Sequence, residues 1–246
     1  NVTAHVGDKL ELSAGLRDVK FISASTGLFI NCTLAQYAAN TCVLTPGTNN
    51  KYDVSKVIYN VAARYRVSDD VMVYAASGSS FRPPVRAIGD FSISYSPLEV
   101  AHTSFGPETS KSYEIGFKST LVDKTVRFNA TYYHQDFTNY PYRAGGAGVY
   151  YVNINSAGAP NLSQFNFISA VPVKVDGIEA ELGYSPSRHF SISGTLSWSH
   201  SRITGGKFAC ADVNKDGIPD TTRPTLAQLQ TAYGTEHLAE CAASGS

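Results

Sequence analysis

Apolar and polar residues alternate along most of this chain. In Ser112–Phe137, "SYEIGFKSTLVDKTVRFNATYYHQDF", Tyr113, Ile115 and Phe117 fall on one face of an extended backbone. After a break at "TLVDK", Val126, Phe128, Ala130 and Tyr132 do the same. A period of two means strand, so this stretch predicts a long hairpin with one apolar face. The pattern recurs. Leu10, Leu12, Ala14 and Leu16 oppose Glu11, Ser13, Gly15 and Arg17. Val57, Tyr59, Val61, Ala63 and Tyr65 oppose Ile58, Asn60, Ala62 and Arg64, and "VMVYAAS" follows as a hairpin partner. Ile178, Ala180, Leu182 and Tyr184 alternate with Glu179, Glu181 and Gly183, and Phe190–Ser199 repeats the pattern with Leu196 and Trp198 on the apolar side.

Alternation alone leaves open whether the apolar face meets a protein core or lipid. The connections favour lipid. Short turns at Val6–Lys9, Val67–Asp70, Thr120–Lys124 and Ser185–His189 alternate with long segments at Ser25–Asp53, Pro83–Thr109, Thr138–Val171 and from Gly205 onward. Compact soluble domains seldom carry loops beyond about 15 residues. Outer-membrane barrels place short turns on the periplasmic side and long loops outside. Tyr59, Tyr65, Tyr113, Tyr132, Tyr184 and Trp198 lie on the apolar face near strand ends, where aromatic girdles sit. The expected fold is all-β: an antiparallel up-and-down transmembrane barrel segment of about eight strands.

Composition agrees. Charged residues are 16% of the chain, below the roughly 25% usual for soluble domains. Lys and Arg balance Asp and Glu at 20 each, which removes the basic footprint that nucleic-acid binding requires. No basic and apolar leader opens the chain, and both ends read as parts of something longer. The four cysteines fall into two local pairs in polar segments, Cys32 with Cys42 and Cys210 with Cys241, which suggests two disulfides and an oxidising compartment.

"FRPP" (Phe81–Pro84), "FGPETSKSYEIGFKS" (Phe105–Ser119), "VRFNATYYHQDFTNY" (Val126–Tyr140), "YVNINSA" (Tyr151–Ala157) and "VDGIEAELGYSPS" (Val175–Ser187) carry a resemblance. In order and spacing they resemble the C-terminal barrel region of TonB-dependent outer-membrane receptors, over most of Tyr52–Ile203. The resemblance implies the outer membrane of a Gram-negative bacterium and a barrel of about 22 strands around a plug. It implies energised uptake of a scarce nutrient such as a siderophore, cobalamin or oligosaccharide. The implied partners are outer-membrane lipid, a small-molecule ligand, the plug domain with the remaining strands and, through the plug, the TonB complex. This chain carries no plug, no TonB-contacting segment and no closing strand with an aromatic end. Some 15 extra residues, "GAPNLSQFNFISAVP", separate "NINSA" from "VDGIE". It is therefore expected to be a barrel fragment.

On the polar face, Glu114, Lys118, Arg127, Asn129, Glu179 and Glu181 are expected to line a wet lumen. Two prolines after Arg82 force the chain out of the sheet and leave Arg82 at the rim. With Tyr140, Tyr142, Arg143 and Tyr150 of "NYPYRAGGAGVYY", it forms the candidate ligand-contact set. "DVNKDGIPD" places Asp212, Asn214, Asp216, the Ile218 carbonyl and Asp220 at positions one, three, five, seven and nine of a calcium-type loop, with Gly217 at the sharp turn. Arg223 stands where the bidentate Glu of an EF-hand belongs, so any Ca²⁺ here is a structural extra; no cofactor is required. The six histidines are scattered, with no metal-ligand spacing, and no nucleophile elbow or phosphate loop occurs. The chain is expected not to be an enzyme. Two other architectures remain open at this point. A small complete outer-membrane barrel, porin or adhesin, predicts that strands near the two termini pair. A secreted, calcium-dependent carbohydrate-binding β-sandwich predicts that the Tyr-rich faces pack on each other.

Overall fold

The computed structural model describes residues 1–31, 34–84, 96–103, 105–143, 148–154 and 158–243, with residues 25–31, 34 and 43–50 described by backbone alone. The backbone falls into two compact units, Asn1–Leu16 with Ile58–Ser246, and Arg17–Val57.

The main element is an eight-stranded antiparallel sheet. Its strands, in spatial order, are β1 (Val2–Val6), β2 (Leu10–Asn31), β3 (Val43–Arg66), β4 (Val71–Arg82), β5 (Glu108–Leu121), β6 (Val126–Arg143), β9 (Ile168–Ser187) and β10 (Phe190–Ile203). The inserted hairpin β7 (Val149–Ile154) and β8 (Pro160–Phe165) forms a separate two-stranded sheet, as do β11 (Lys207–Cys210) and β12 (Ala239–Ala242). Short helices α1 (Leu34–Ala38), α2 (Pro97–Ala101) and α3 (Leu226–Tyr233) lie in the long connections.

Register fixes what faces what. Val73, Phe117, Ala130, Ala180 and Leu196 stand opposite one another in five adjacent strands. One row further along come Ala75, Ile115, Tyr132, Ile178 and Trp198. This face is open: Leu196 is 66% exposed, Ile115 61% and Trp198 55%. The sandwich alternative required these aromatic faces to be buried against each other, and Tyr65, Tyr113, Tyr132 and Tyr184 are instead all exposed. The small-barrel alternative required terminal strands to pair, whereas β1 and β10 are the two edges of the sheet. An apolar face this large and this bare needs lipid.

The opposite face is polar and tightly fitted at Gly116 and Gly177. Tyr74 of β4 lies across Gly116 and its hydroxyl meets Thr131 Oγ1 at 2.7 Å. A Cβ on Gly116 would sit 2.6 Å from the Ala130 carbonyl oxygen and 2.8 Å from the Tyr74 ring. Gly116→Ala is therefore expected to cost about 1–3 kcal/mol as overpacking. Gly194→Ala, with nothing within 4 Å, is expected to be near neutral. Urea unfolding midpoints in lipid vesicles check the pair.

The short turns fall where the sequence placed them, at residues 7–9, 67–70, 122–125 and 188–189; the last is tighter than expected because β9 runs through Ser187. The long segments differ from expectation. β2 and β3 continue through most of Ser25–Asp53, and β6 runs on to Arg143. Thr138–Val171 holds a hairpin, and the region from Gly205 holds two strands and a helix. The reason is physical. Strand parts that rise above a bilayer lose the lipid face that enforces alternation. Prolines mask them further: Pro141 pairs with Ala170 beyond a register shift at Phe137/Tyr140, and Pro172 lies inside β9.

Candidate functional site

The polar face of the sheet brings together the predicted lumen residues. Lys118, Asn129 and Glu181 are register neighbours in β5, β6 and β9. Glu181 accepts from Asn129 Nδ2 at 3.0 Å through Oε2 and from Arg127 at 3.0 Å through Oε1. Glu179 is one row away, opposite Thr131, and Glu114 lies opposite Tyr133. All six share one face. They comprise three carboxylates, two cations and one amide, and they remain at least partly accessible. Such a surface keeps charges hydrated while presenting donors and acceptors to whatever fills the lumen.

At the far end of β4, Arg82 pairs with Glu108, its register partner, and its guanidinium lies 6.0 Å from the centre of the Tyr140 ring. Two of the five predicted contact residues thus meet at one point of the rim. Arg143 is exposed at the end of β6. Tyr142 packs edge-on to Phe208 of β11, 6.5 Å between ring centres, and Tyr150 packs against Val152, Leu229 and Tyr233. These two tyrosines hold the loop structure together; the expected five-residue cluster is not one surface.

The loops form a small cap with its own core. Tyr151, Phe167, Ala209 and Leu238 make one buried cluster; Val152, Leu229 and Tyr233 make another. The Cys210–Cys241 disulfide closes it, as expected from their spacing, with both residues buried. Cys42 is disulfide-bonded, while Cys32, its expected partner, lies outside the described residues.

Sequence reading missed the polar pins of this cap. His102 is buried, its Nδ1 2.9 Å from Ser169 Oγ and its Nε2 3.1 Å from Glu240 Oε1. Ser169 Oγ also accepts from the Ala209 amide at 3.2 Å. Glu99, fully buried, meets His237 at 3.1 Å. These partners are 67 and 138 residues apart in sequence, so no local motif announces them. A Ser–His–Glu set is reminiscent of nucleophilic catalysis, but Ser169 is 2% exposed, so it serves here as a clamp between the end of α2, β9 and β12.

The 212–220 loop is wound around its own carboxylates. Asp212, itself buried, accepts from the Asp216 and Gly217 amides at 3.1 and 2.9 Å. Asp216 accepts from the Ile218 amide and from Asn214 Nδ2, and Asp220 accepts from the Val213 amide. Tyr233 receives the Asp212 amide at 2.6 Å, and burial pushes its hydroxyl pKa upward. Among the described residues no group of three or more His, Cys, Asp and Glu is arranged to hold a metal.

Comparison with known proteins follows the same lines. The family described as TonB dependent receptor-like, beta-barrel matches residues 1–239. Solved structures of similar fold include the ferric-catecholate import receptor Fiu of E. coli K12 (17% identity, TM-score 0.59, 85% of this chain and 28% of that one). The ferric yersiniabactin uptake receptor FyuA of Yersinia pestis is similar at 16% identity and TM-score 0.55, over 82% of this chain and 26% of that one. So is the ferripyoverdine receptor of the outer membrane of Pseudomonas aeruginosa, at 17% identity and TM-score 0.52, over 82% and 22%. No curated protein matches the chain. The chain thus spans between a fifth and a third of those receptors' lengths. By its family match, its eight-strand sheet and its bare apolar face, it belongs to the TonB-dependent receptor β-barrel family of transport receptors, Gram-negative outer-membrane proteins.

Proposed function

We propose that this chain forms part of the wall, rim and extracellular cap of an energised uptake receptor for an anionic iron chelate of the siderophore type. A plug domain and the TonB complex act on the same barrel. The observation that carries the reading is the rim: Arg82 over Tyr140, with Arg143 exposed at the end of Tyr140's own strand, β6. A cation set on an aromatic face suits a flat, negatively charged chelate. The three similar receptors named above handle iron chelates by their own descriptions, and this chain shares their fold. Cobalamin and oligosaccharides fit the rim less well because neither calls for paired arginines.

The test is uptake of ⁵⁵Fe-labelled siderophores by iron-starved cells expressing the receptor that carries this chain. Uptake is expected to stop when a protonophore collapses the proton gradient. Arg82→Ala is expected to lower apparent affinity about tenfold, a loss of one desolvated charge contact. Uptake indifferent to the protonophore would instead indicate a passive pore.

For the 212–220 loop we propose weak calcium binding, supported by the ligand spacing and by the clustering of three aspartates in one turn. Titration calorimetry is expected to give a dissociation constant in the millimolar range of extracellular modules, lost in Asp216→Ala. Absence of heat from the native loop would remove calcium from the account.

A further inference from the structure

The ion pair at the mouth is built differently from the other arginine pairs on the polar face. Arg127 with Glu181 and Arg64 with Glu11 leave both partners open, their carboxylates 40% and 33% exposed. In Arg82 with Glu108 the carboxylate is only 13% exposed and the guanidinium 50%. The acid is set back against the wall, and the base is the member open to a ligand. The two face each other in the last paired row of β4 and β5.

Local structure fixes the acid and a ring and holds the base between them. β6 carries one extra residue between Phe137, opposite Val173, and Tyr140, opposite Val171. Asn139 takes the left-handed conformation there, φ 56°, which Asn tolerates better than most residues. A bulge of this kind re-aims the side chains beyond it. Without the extra residue Tyr140 would turn to the lipid side. With it, Tyr140 joins Phe137, the two rings edge-on with centres 5.8 Å apart. Asn139 Nδ2 also donates to the Pro107 carbonyl at 3.3 Å and so ties down the residue before Glu108. Arg82 donates to Glu108 through Nη2, with its guanidinium centre 6.0 Å from the Tyr140 ring centre. Its other N–H donors are left for a ligand.

One guanidinium and one carboxylate make this point of the rim neutral. We propose that Glu108 is a charge filter for the mouth, the residue that sets how much negative charge an incoming chelate can carry. The filter rests on the chelate reading above and narrows it to chelates of low negative charge. A ligand oxygen that takes the free donors of Arg82 arrives beside a carboxylate already held there. A single anionic group is accommodated, with the Tyr140 ring supplying flat apolar contact. A trianion meets the Glu108 charge in a site shielded from bulk water, where like charges are costly. Displacing Glu108 offers no escape, because a carboxylate that little exposed would lose its counter-charge.

The probes are two ⁵⁵Fe-labelled chelates, ferric enterobactin, which is a trianion, and ferrichrome, which is neutral. Equilibrium binding of each is measured on the purified receptor that carries this chain, in detergent at low salt. Glu108→Gln is expected to tighten binding of the trianion about tenfold and to move the neutral chelate by less than about twofold. Unchanged ferrichrome binding also reports that the variant is folded. The gain is expected to shrink at high salt, as a charge effect must. Glu108→Asp keeps the charge and is expected to retain most of the discrimination. A role in packing alone would move both probes together and ignore salt. An equal change for both probes, or no gain for the trianion, would overturn the filter and leave the chelate reading standing. Binding of neither probe to any variant would remove the chelate reading and the filter together.

Discussion

Leu196→Arg is expected to destabilise the folded receptor in a bilayer by about 2–4 kcal/mol, the range for a charge on the lipid face near the midplane of a barrel. Leu196 is the β10 member of the central row Val73, Phe117, Ala130, Ala180, Leu196, and it is 66% exposed with only membrane to cover it. The neighbouring Thr195→Arg turns the same charge to the polar face, opposite Glu181, and is expected to be close to neutral. The difference corresponds to a thirtyfold to roughly thousandfold shift in the folding equilibrium. Guanidinium unfolding in lipid vesicles, followed by the mobility difference between folded and heated protein, measures it. Equal costs at the two positions would mean that both faces see the same surroundings.

Removing the Cys210–Cys241 bridge is the second large effect. The cysteines are 31 residues apart, and the loop-closure estimate for such a ring is about 3–4 kcal/mol. Both are buried, so Cys210→Ala with Cys241→Ala also loosens the packing of the cap. The expected outcome is local. Limited proteolysis should cut within residues 204–243, while the strand rows facing lipid stay protected. His102 then loses the support of Glu240, and α2 is released with it. Reductant added to the unmodified receptor is expected to reproduce the pattern. Simultaneous loss of the whole sheet would show that cap and wall fold as one unit.

The part of the molecule inside the membrane was legible because lipid dictates its pattern. Tyr113, Ile115, Phe117, Val126, Phe128 and Tyr132 alternate since each second residue meets hydrocarbon, and "TLVDK" breaks the alternation because the chain reverses there. Glu114, Lys118, Arg127, Asn129, Glu179 and Glu181 came out on one face for the same reason. Above the membrane that constraint disappears. The hairpin Val149–Phe165 looked like inserted loop, and Ile168–Lys174 was hidden by Pro172 although Val171 and Val173 are buried. The rim was half legible. Arg82 and Tyr140 converge because register sets Arg82 opposite Glu108 and Thr138 opposite Thr109 on the two sides of β5, whereas Tyr142 and Tyr150 pack against Phe208 and the Val152–Leu229–Tyr233 cluster, away from that point. The His102–Ser169–Glu240 clamp joins the end of α2 to β9 and β12 and depends on the tertiary fold alone. The polar residues closing each strand pattern were visible; only register showed that Lys111, Asp136, Lys174 and Arg202 are side by side.

The central claim is that one face of this sheet meets lipid and the other a wet lumen. Nitroxide labels placed singly from Ser191 to Ser199 of β10, in the receptor reconstituted in vesicles, test it most directly. Ile192, Gly194, Leu196 and Trp198 are predicted to be accessible to oxygen and shielded from a water-soluble nickel chelate, and Ser191, Ser193, Thr195, Ser197 and Ser199 to show the reverse. Oxygen and nickel accessibility that fails to alternate with a period of two, or alternates in the opposite phase, would contradict the account.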